Sequence, residues 1–198
     1  MKDFYNEQNS IYCYPESNVL KNKLDIRDSN KLFKLEKQIV LAKAYVLRQD
    51  ESNYELNKER FLYIHYFLFG DIYDFAGKYR KENIIKGNFR FAEFEFIDEQ
   101  LDYLMNKLKK ENYLKGLDKN NLAIRLAFYM SELNVLHPFR EGNGRTIREF
   151  TREIAIQCGY ILDLRESTPK DIFNATVESV YDTQKLEEII FKCLKKVK

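Results

Sequence analysis

Residues able to do chemistry concentrate in one fourteen-residue stretch, His137-Pro138-Phe139-Arg140-Glu141-Gly142-Asn143-Gly144-Arg145-Thr146-Ile147-Arg148-Glu149-Phe150. His137 is a titratable base. Its ordinary pKa, near 6.5, leaves it largely neutral at pH 7 and ready to take a proton from an attacking hydroxyl. Gly142-Asn143-Gly144 stands where a helix should begin. Small side chains there let an anion approach main-chain N–H groups that the helix cannot pair, and the macrodipole favours the same charge. At about 100° per residue, Arg145, Arg148 and Arg152 share one arc of that helix, with Ile147, Phe150, Ile154 and Cys158 opposite. Arginines one and two turns in suit further phosphates through charge-assisted hydrogen bonds. Glu141 would repel bare phosphate but suits Mg²⁺ held between carboxylate and phosphates. Together these groups fit a metal-bound triphosphate. Taken singly each has an ordinary structural explanation: helix junctions contain Pro and Gly, Arg145 and Glu149 could be an i,i+4 pair, and a lone His is usually inert. The spacing of the whole set argues for chemistry.

The elements that must hold this stretch read as helices. Leu122 to Leu136 is apolar almost all round, as a central buried helix would be, and Pro138 stops it by disfavouring helical geometry at His137. A second helix should run from near Gly142 to about Cys158, ended by Gly159. Upstream, Ser29 is a plausible N-cap for a helix with Leu32, Leu35, Ile39, Ala42, Val46 and Leu47 at helical spacing. Further helices are expected over about Lys58–Phe69 and Asp98–Lys110, from Thr168-Pro169 onward, and from about Lys185 to the C-terminus. A turn is expected at Tyr14-Pro15-Glu16-Ser17-Asn18.

One segment departs from the helical period. Tyr79 to Phe96 contains Ile84-Ile85, then Lys86-Gly87-Asn88, then the alternating run Phe89-Arg90-Phe91-Ala92-Glu93-Phe94-Glu95-Phe96. Alternation of period two around Gly-Asn predicts a short β-hairpin. Such a hairpin needs support from the helices and leaves an edge on which an extended peptide could add as a strand.

Composition bounds the rest. The chain has 198 residues, 44% hydrophobic and 32% charged, enough for one globular domain with a sizeable core. A net charge of +2 gives no bulk electrostatic case for nucleic acid or a membrane surface. Cys13, Cys158 and Cys193 have no CxxC spacing and read as free thiols. With no apolar leader segment and no apolar run of membrane-span length, a cytoplasmic protein is expected, although an exported effector would look the same.

His137 to Arg148 resembles the signature of Fic proteins, His-Pro-Phe-x-Glu-Gly-Asn-Gly-Arg-x-x-Arg, at every defined position. Tyr12-Cys13-Tyr14-Pro15, Val19-Leu20-Lys21-Asn22-Lys23-Leu24, Asp71-Ile72-Tyr73-Asp74-Phe75-Ala76-Gly77 and Lys86-Gly87-Asn88-Phe89-Arg90-Phe91-Ala92 also look like Fic segments, so the likeness spans roughly residues 11 to 195. The resemblance implies an all-α Fic fold, a helical bundle around a helix–loop–helix active site with a hairpin flap, formed by 1–198 as a single domain with 1–28 packed on it. It implies AMP transfer from ATP to a Tyr, Ser or Thr hydroxyl of a target protein. His137 would be the general base, Glu141 would hold Mg²⁺, and Gly142, Asn143 and Gly144 would bind the α-phosphate. Arg145 and Arg148 would take the β- and γ-phosphates. Lys86, Gly87, Asn88, Phe89, Arg90 and Phe91 would form the flap that registers the target's main chain.

Residues 169–181 resemble the inhibitory helix of some single-domain members, with Glu178 as the glutamate that would pair with Arg148 and spoil the γ-phosphate site. Asn174 and Ser179 depart from that motif, which usually has Ser or Thr four residues before the glutamate and Gly or Asn after it. Tyr181 would be an automodification site, against the plainer reading of an ordinary helix tyrosine. Other readings are removal of AMP with Glu178, transfer of another nucleotide or phosphate-linked group, and a non-catalytic nucleotide-sensing module. Some members self-associate, so a homo-oligomer is compatible with the resemblance; the target protein is unnamed by the sequence. His65 is expected to be a satisfied structural histidine.

Overall fold

The computed structural model describes residues 10–50 and 54–197. Helices dominate: α1 Ser29–Leu47, α2 Lys58–Phe69, α3 Ile97–Lys110, α4 Lys119–Leu136, α5 Asn143–Gln157, α6 Pro169–Glu178 and α7 Gln184–Cys193. Two short antiparallel ladders accompany them, β1 Ile85–Lys86 with β2 Phe89–Arg90, and β3 Tyr160–Leu162 with β4 Leu194–Lys196. None of the described helices is long and apolar enough to cross a membrane. The chain divides into two compact units interleaved in sequence: Met1–Glu55, Glu59–Asp98 and His137–Thr146 in one, Leu56–Lys58, Glu99–Leu136 and Ile147–Lys198 in the other.

In the first unit the N-terminal segment is tied down by main-chain hydrogen bonds. Cys13 bridges Leu20 across the expected turn, and the Lys23 N–H donates to the Ile72 carbonyl. Within the expected N-terminal segment 1–28, residues 1–9 lie outside the described residues. The cap of α1 is Asp28, whose carboxylate accepts from Lys31 N–H at 2.7 Å, so Ser29 is the first helical residue instead of the cap. The buried face of α1 also differs from the expected stripe. It is Leu32, Glu36, Val40, Ala44 and Leu47, while Ala42 and Val46 are exposed. The helix is rotated because it buries a carboxylate that hydropathy alone assigns to water. On α2 the buried residues are Arg60, Phe61, Ile64, His65, Leu68 and Phe69.

In the second unit α4 is buried on most sides, through Leu122, Ala123, Leu126, Ala127, Met130, Leu133 and Leu136 among others. It packs against α7, which also meets α6. The cap of α6 is as expected: Thr168 Oγ1 accepts from Asp171 N–H, with Pro169 in the first turn. Gly159, at φ +79, turns the chain out of α5 into β3. The last helix does not reach the C-terminus. It ends at Cys193, and Leu194 to Lys196 pair with Tyr160 to Leu162. The Val197 N–H donates to the Gly159 carbonyl and Lys195 Nζ meets Glu166. The terminal lysines that look like a helix end therefore border a strand, a pairing over thirty residues that no local pattern announces.

Candidate active site

The loop between α4 and α5 starts with an unusual backbone. His137 has φ +48, a left-handed conformation that costs a non-glycine residue about 1–3 kcal/mol. The helix ends at Leu136, as Pro138 requires, and the chain leaves it through a left-handed residue. Such strain persists only where neighbours over-determine it. Here the Arg80 guanidinium donates through Nε to the His137 carbonyl at 2.8 Å, and the Arg80 main-chain N–H donates to the Pro138 carbonyl at 2.9 Å. The imidazole stacks on Phe91, with ring centroids 3.8 Å apart and planes inclined by 21°.

Further along, Asn143 closes the loop on itself. Its side-chain oxygen accepts from Phe139 N–H at 2.9 Å and its amide donates to the Phe139 carbonyl at 2.7 Å. That side chain is 2% exposed and occupied in holding the turn, so an anion here would be met by main-chain N–H groups more than by the Asn143 amide. Gly142 sits at φ +85 with the Phe69 ring against it: a Cβ would lie 2.4 Å from the ring edge. Glycine is demanded twice, by conformation and by space.

Two carboxylates surround the first arginine. Glu36 Oε1 lies 2.6 Å from Arg145 Nη1, and Glu141 Oε1 lies 3.2 Å from Arg145 Nη2. The guanidinium also rests 4.6 Å over the Phe69 ring. Glu141 Oε1 further accepts from Gly142 N–H at 2.8 Å. Tyr73 donates its hydroxyl proton to Glu36 Oε2. Burial pulls the Arg145 pKa down, but the charges of Glu36 and then Glu141 outweigh it and hold the group above its ordinary value. For Tyr73, burial and then the neighbouring Glu36 charge push the phenol well above its ordinary pKa, so it acts only as a donor. The i,i+4 partner suggested for Arg145, Glu149, pairs instead with Arg152 at 3.0 Å.

His65 supports the loop from below. Its Nδ1 accepts from Gly77 N–H at 2.8 Å, and its Nε2 lies 2.9 Å from the Glu141 carbonyl. A carbonyl can only accept and a main-chain N–H only donate, so the ring is the neutral Nε2–H tautomer. Burial lowers its pKa to about 3. The ring is fully enclosed and stacks on Phe139 at 3.7 Å, the satisfied structural histidine that was expected.

The hairpin forms around Gly87, at φ +58, with Ile85 opposite Arg90 and Lys86 opposite Phe89. A further bond from Phe91 N–H to the Ile84 carbonyl extends it. Ile84 and Phe91 are buried with Phe89 packed on them, while Gly87, Asn88 and Arg90 are exposed. The alternating run does not continue as strand. Phe94 to Phe96 form a turn of 3₁₀ helix, because Asn83 Oδ1 takes the Phe94 N–H and Arg80 takes the Ala92 carbonyl.

The first unit thus gathers His137, Glu141, Gly142, Asn143, Gly144, Arg145 and the hairpin Lys86 to Phe91. Arg148 and Glu178 belong to the second unit. Glu178 ends α6, and both its oxygens accept from Lys185 Nζ, at 2.8 and 2.7 Å. The expected partner was Arg148; the contact seen here is with Lys185, because the short turn into α7 brings a lysine of that helix's first turn to the carboxylate. Tyr181 just beyond is 86% exposed. Three residues that shape the site were given no role in it: Tyr73, inside the Fic-like segment Asp71 to Gly77, and Glu36 and Arg80, which lie in no motif. Glu36 leaves a sequence signal of its own, as a carboxylate spaced four residues from Leu32 and from Val40 on a helix face.

Comparison with known proteins points the same way as the loop. Over residues 55–155 the chain matches the family model described as Fic/DOC family. It is 35% identical over 188 residues to the protein adenylyltransferase VbhT of Bartonella schoenbuchensis, covering 95% of this chain but only 39% of that protein. With the probable protein adenylyltransferase Fic of Escherichia coli it shares 34% identity over 90% of this chain and 88% of that one. Among solved structures, the Bartonella tribocorum effector BepC with bound AMPPNP superposes with a TM-score of 0.87 at 25% identity, covering 94% of this chain and 97% of that chain. By sequence and by fold, the chain belongs to the Fic/DOC family.

Proposed function

We propose that this protein is a protein adenylyltransferase that transfers AMP from ATP to a Tyr, Ser or Thr hydroxyl of a target protein, and that residues 1–198 work as one Fic domain. The observation that carries this reading is the stacking of His137 on Phe91, which sets a titratable base directly against the hairpin. A strand of target added to that hairpin's edge brings a hydroxyl to the base through main-chain register, which suits many side-chain sequences. Relatives named as adenylyltransferases, and the AMPPNP held by BepC, support ATP as the donor.

In this mechanism His137 takes the proton of the target hydroxyl as its oxygen attacks the α-phosphorus. The new O–P bond replaces the bond to the β-phosphate oxygen, and pyrophosphate leaves. The first N–H groups of α5 and Arg145 orient the phosphates, with Arg148 assigned the terminal one. Among the described residues there is no cluster of three or more metal-ligating side chains. One carboxylate together with substrate phosphates is nonetheless the usual way Mg²⁺ is held, and Glu141 at the turn fits that donor set. The ion would neutralise phosphate charge. Glu178, bonded to Lys185, offers no support for a glutamate switch on Arg148.

The test supplies ATP labelled at the α- or the γ-phosphate to wild type and to His137→Ala in cell extract. Protein labelling from the α-position only, lost by about 10²- to 10⁴-fold in the variant with ATP binding retained, is the expected outcome. Labelling from the γ-position, or full labelling by His137→Ala, refutes the assignment. No labelling by wild type favours a nucleotide-sensing module.

A further inference from the structure

Arg80 lies outside the signature and is 2% exposed. Its guanidinium donates to three main-chain carbonyls: Nε to His137 at 2.8 Å, Nη1 to Glu82 at 2.8 Å, and Nη2 to Ala92. These carbonyls come from the two structures that must meet during transfer. His137 carries the base in its left-handed backbone. Glu82 and Ala92 flank the hairpin on its two sides, Ala92 next to the Phe91 whose ring covers the imidazole. The Arg80 main chain adds a fourth tie, to the Pro138 carbonyl.

We infer that Arg80 is a positioning residue that locks the His137 backbone and the base of the hairpin into one rigid piece, so that docking a target on the hairpin fixes the distance from hydroxyl to imidazole. The inference rests on the assignment of His137 as the base. A planar guanidinium suits this task because its fork addresses several acceptors at fixed angles, whereas a lysine ammonium can replace the charge but not the fork. Phe91 is the second contact in the same linkage. Removing Arg80 takes the guanidinium donor from the His137 carbonyl, relaxes the left-handed residue and lets the imidazole turn away from the hairpin. Misplacing a reacting group by about 1 Å can lower a rate on the order of 100-fold without touching ground-state binding.

The chain has two histidines, so imidazole NMR signals can be assigned to His65 and His137 without ambiguity. Arg80→Lys and Arg80→Gln, in the full chain, are compared with wild type by melting, by ATP affinity, by AMP transfer from α-labelled ATP to extract proteins and by those imidazole signals. Both variants are expected to keep ATP affinity, lose about 100-fold in the rate of transfer at saturating ATP, and shift or broaden the His137 signal while His65 stays in place. Phe91→Leu, which leaves Arg80 intact and is less disruptive, should move the His137 signal alone and lower the rate in the same sense. A lower melting temperature with unchanged transfer and an unmoved His137 signal, in the Arg80 variants or, should they not fold, in Phe91→Leu, overturns the inference. The His137 signal reads position independently of activity. A moved signal in Arg80 variants, together with full labelling by His137→Ala, would therefore uphold the linkage and refute the base.

Discussion

Both the loop from His137 to Arg145 and the end of α6 at Glu178 carry charges in patterns that suggest chemistry, and their surroundings differ in kind. In the loop, Asn143 is bonded twice to Phe139, Glu141 to Gly142 and Arg145, and Arg145 to Glu36 as well. His137 is held at its carbonyl and stacked on its ring. At the end of α6 the carboxylate meets one lysine, 64% exposed, across a surface turn. A buried polar group must be satisfied, so the partners of buried Asn143 and His137 are required, and each fixes its neighbour. A surface ion pair constrains almost nothing. Pre-organisation is therefore visible at the loop and is lacking at Glu178.

The most severe way to break the loop is through Gly142. Gly142→Ala adds a left-handed penalty of about 1–2 kcal/mol and drives a methyl into the Phe69 ring, a further ~1–3 kcal/mol of overpacking. Gly87→Ala at the hairpin turn meets nothing within 4 Å and should lose only the conformational part. Denaturant midpoints of the two variants would decide this, and equal losses would show that the packing of Phe69 against the loop is not tight.

Acid probes the same loop through His65. Its folded pKa, about 3, lies below the unfolded value, so between these the unfolded chain binds the additional proton. The contribution of neutral His65 is fully present above the unfolded value near 6.5 and fades as pH falls toward the folded one. At about pH 5 the loss should be on the order of 2 kcal/mol from this residue. His65→Asn, which keeps a donor and an acceptor but does not titrate, should lower stability at neutral pH and flatten the acid limb. Parallel acid limbs would show that His65 is not the group responsible.

Glu36 tests whether Arg145 is placed from outside the signature. Glu36→Gln keeps the shape but removes the charge beside Arg145 and turns an acceptor pair into a mixed group. A stability loss of about 1–3 kcal/mol is expected, together with weaker discrimination of ATP from adenosine, since Arg145 is no longer held in one place. Calorimetric titration with both ligands checks this; unchanged ATP affinity would make Glu36 purely structural.

How much of this was open to sequence reasoning depends on the range of the interaction. Helix ends read well where a local group decides them, as Thr168 and Gly159 do. The signature loop was legible because its residues are contiguous. Glu36 and Arg80 act on the loop from far along the chain, through 2.6 Å and 2.8 Å contacts that no local period encodes. The β3–β4 ladder was missed for the same reason, and α1 was rotated because a hydropathy count cannot anticipate a buried, partnered carboxylate.

The mildest test lies at the other end of the comparison. Glu178→Gln removes the charge that Lys185 meets and leaves the helix end intact. If Glu178 were a brake on the site, transfer would rise well above wild type when its charge is removed. The exposed pair with Lys185 predicts otherwise, because two solvated groups regain water as readily as they lose each other. Transfer of α-label should stay within about twofold of wild type, with an unchanged melting temperature. A tenfold or greater gain would show that the glutamate leaves Lys185 during the reaction cycle, and the surface pair would then be the resting half of a switch.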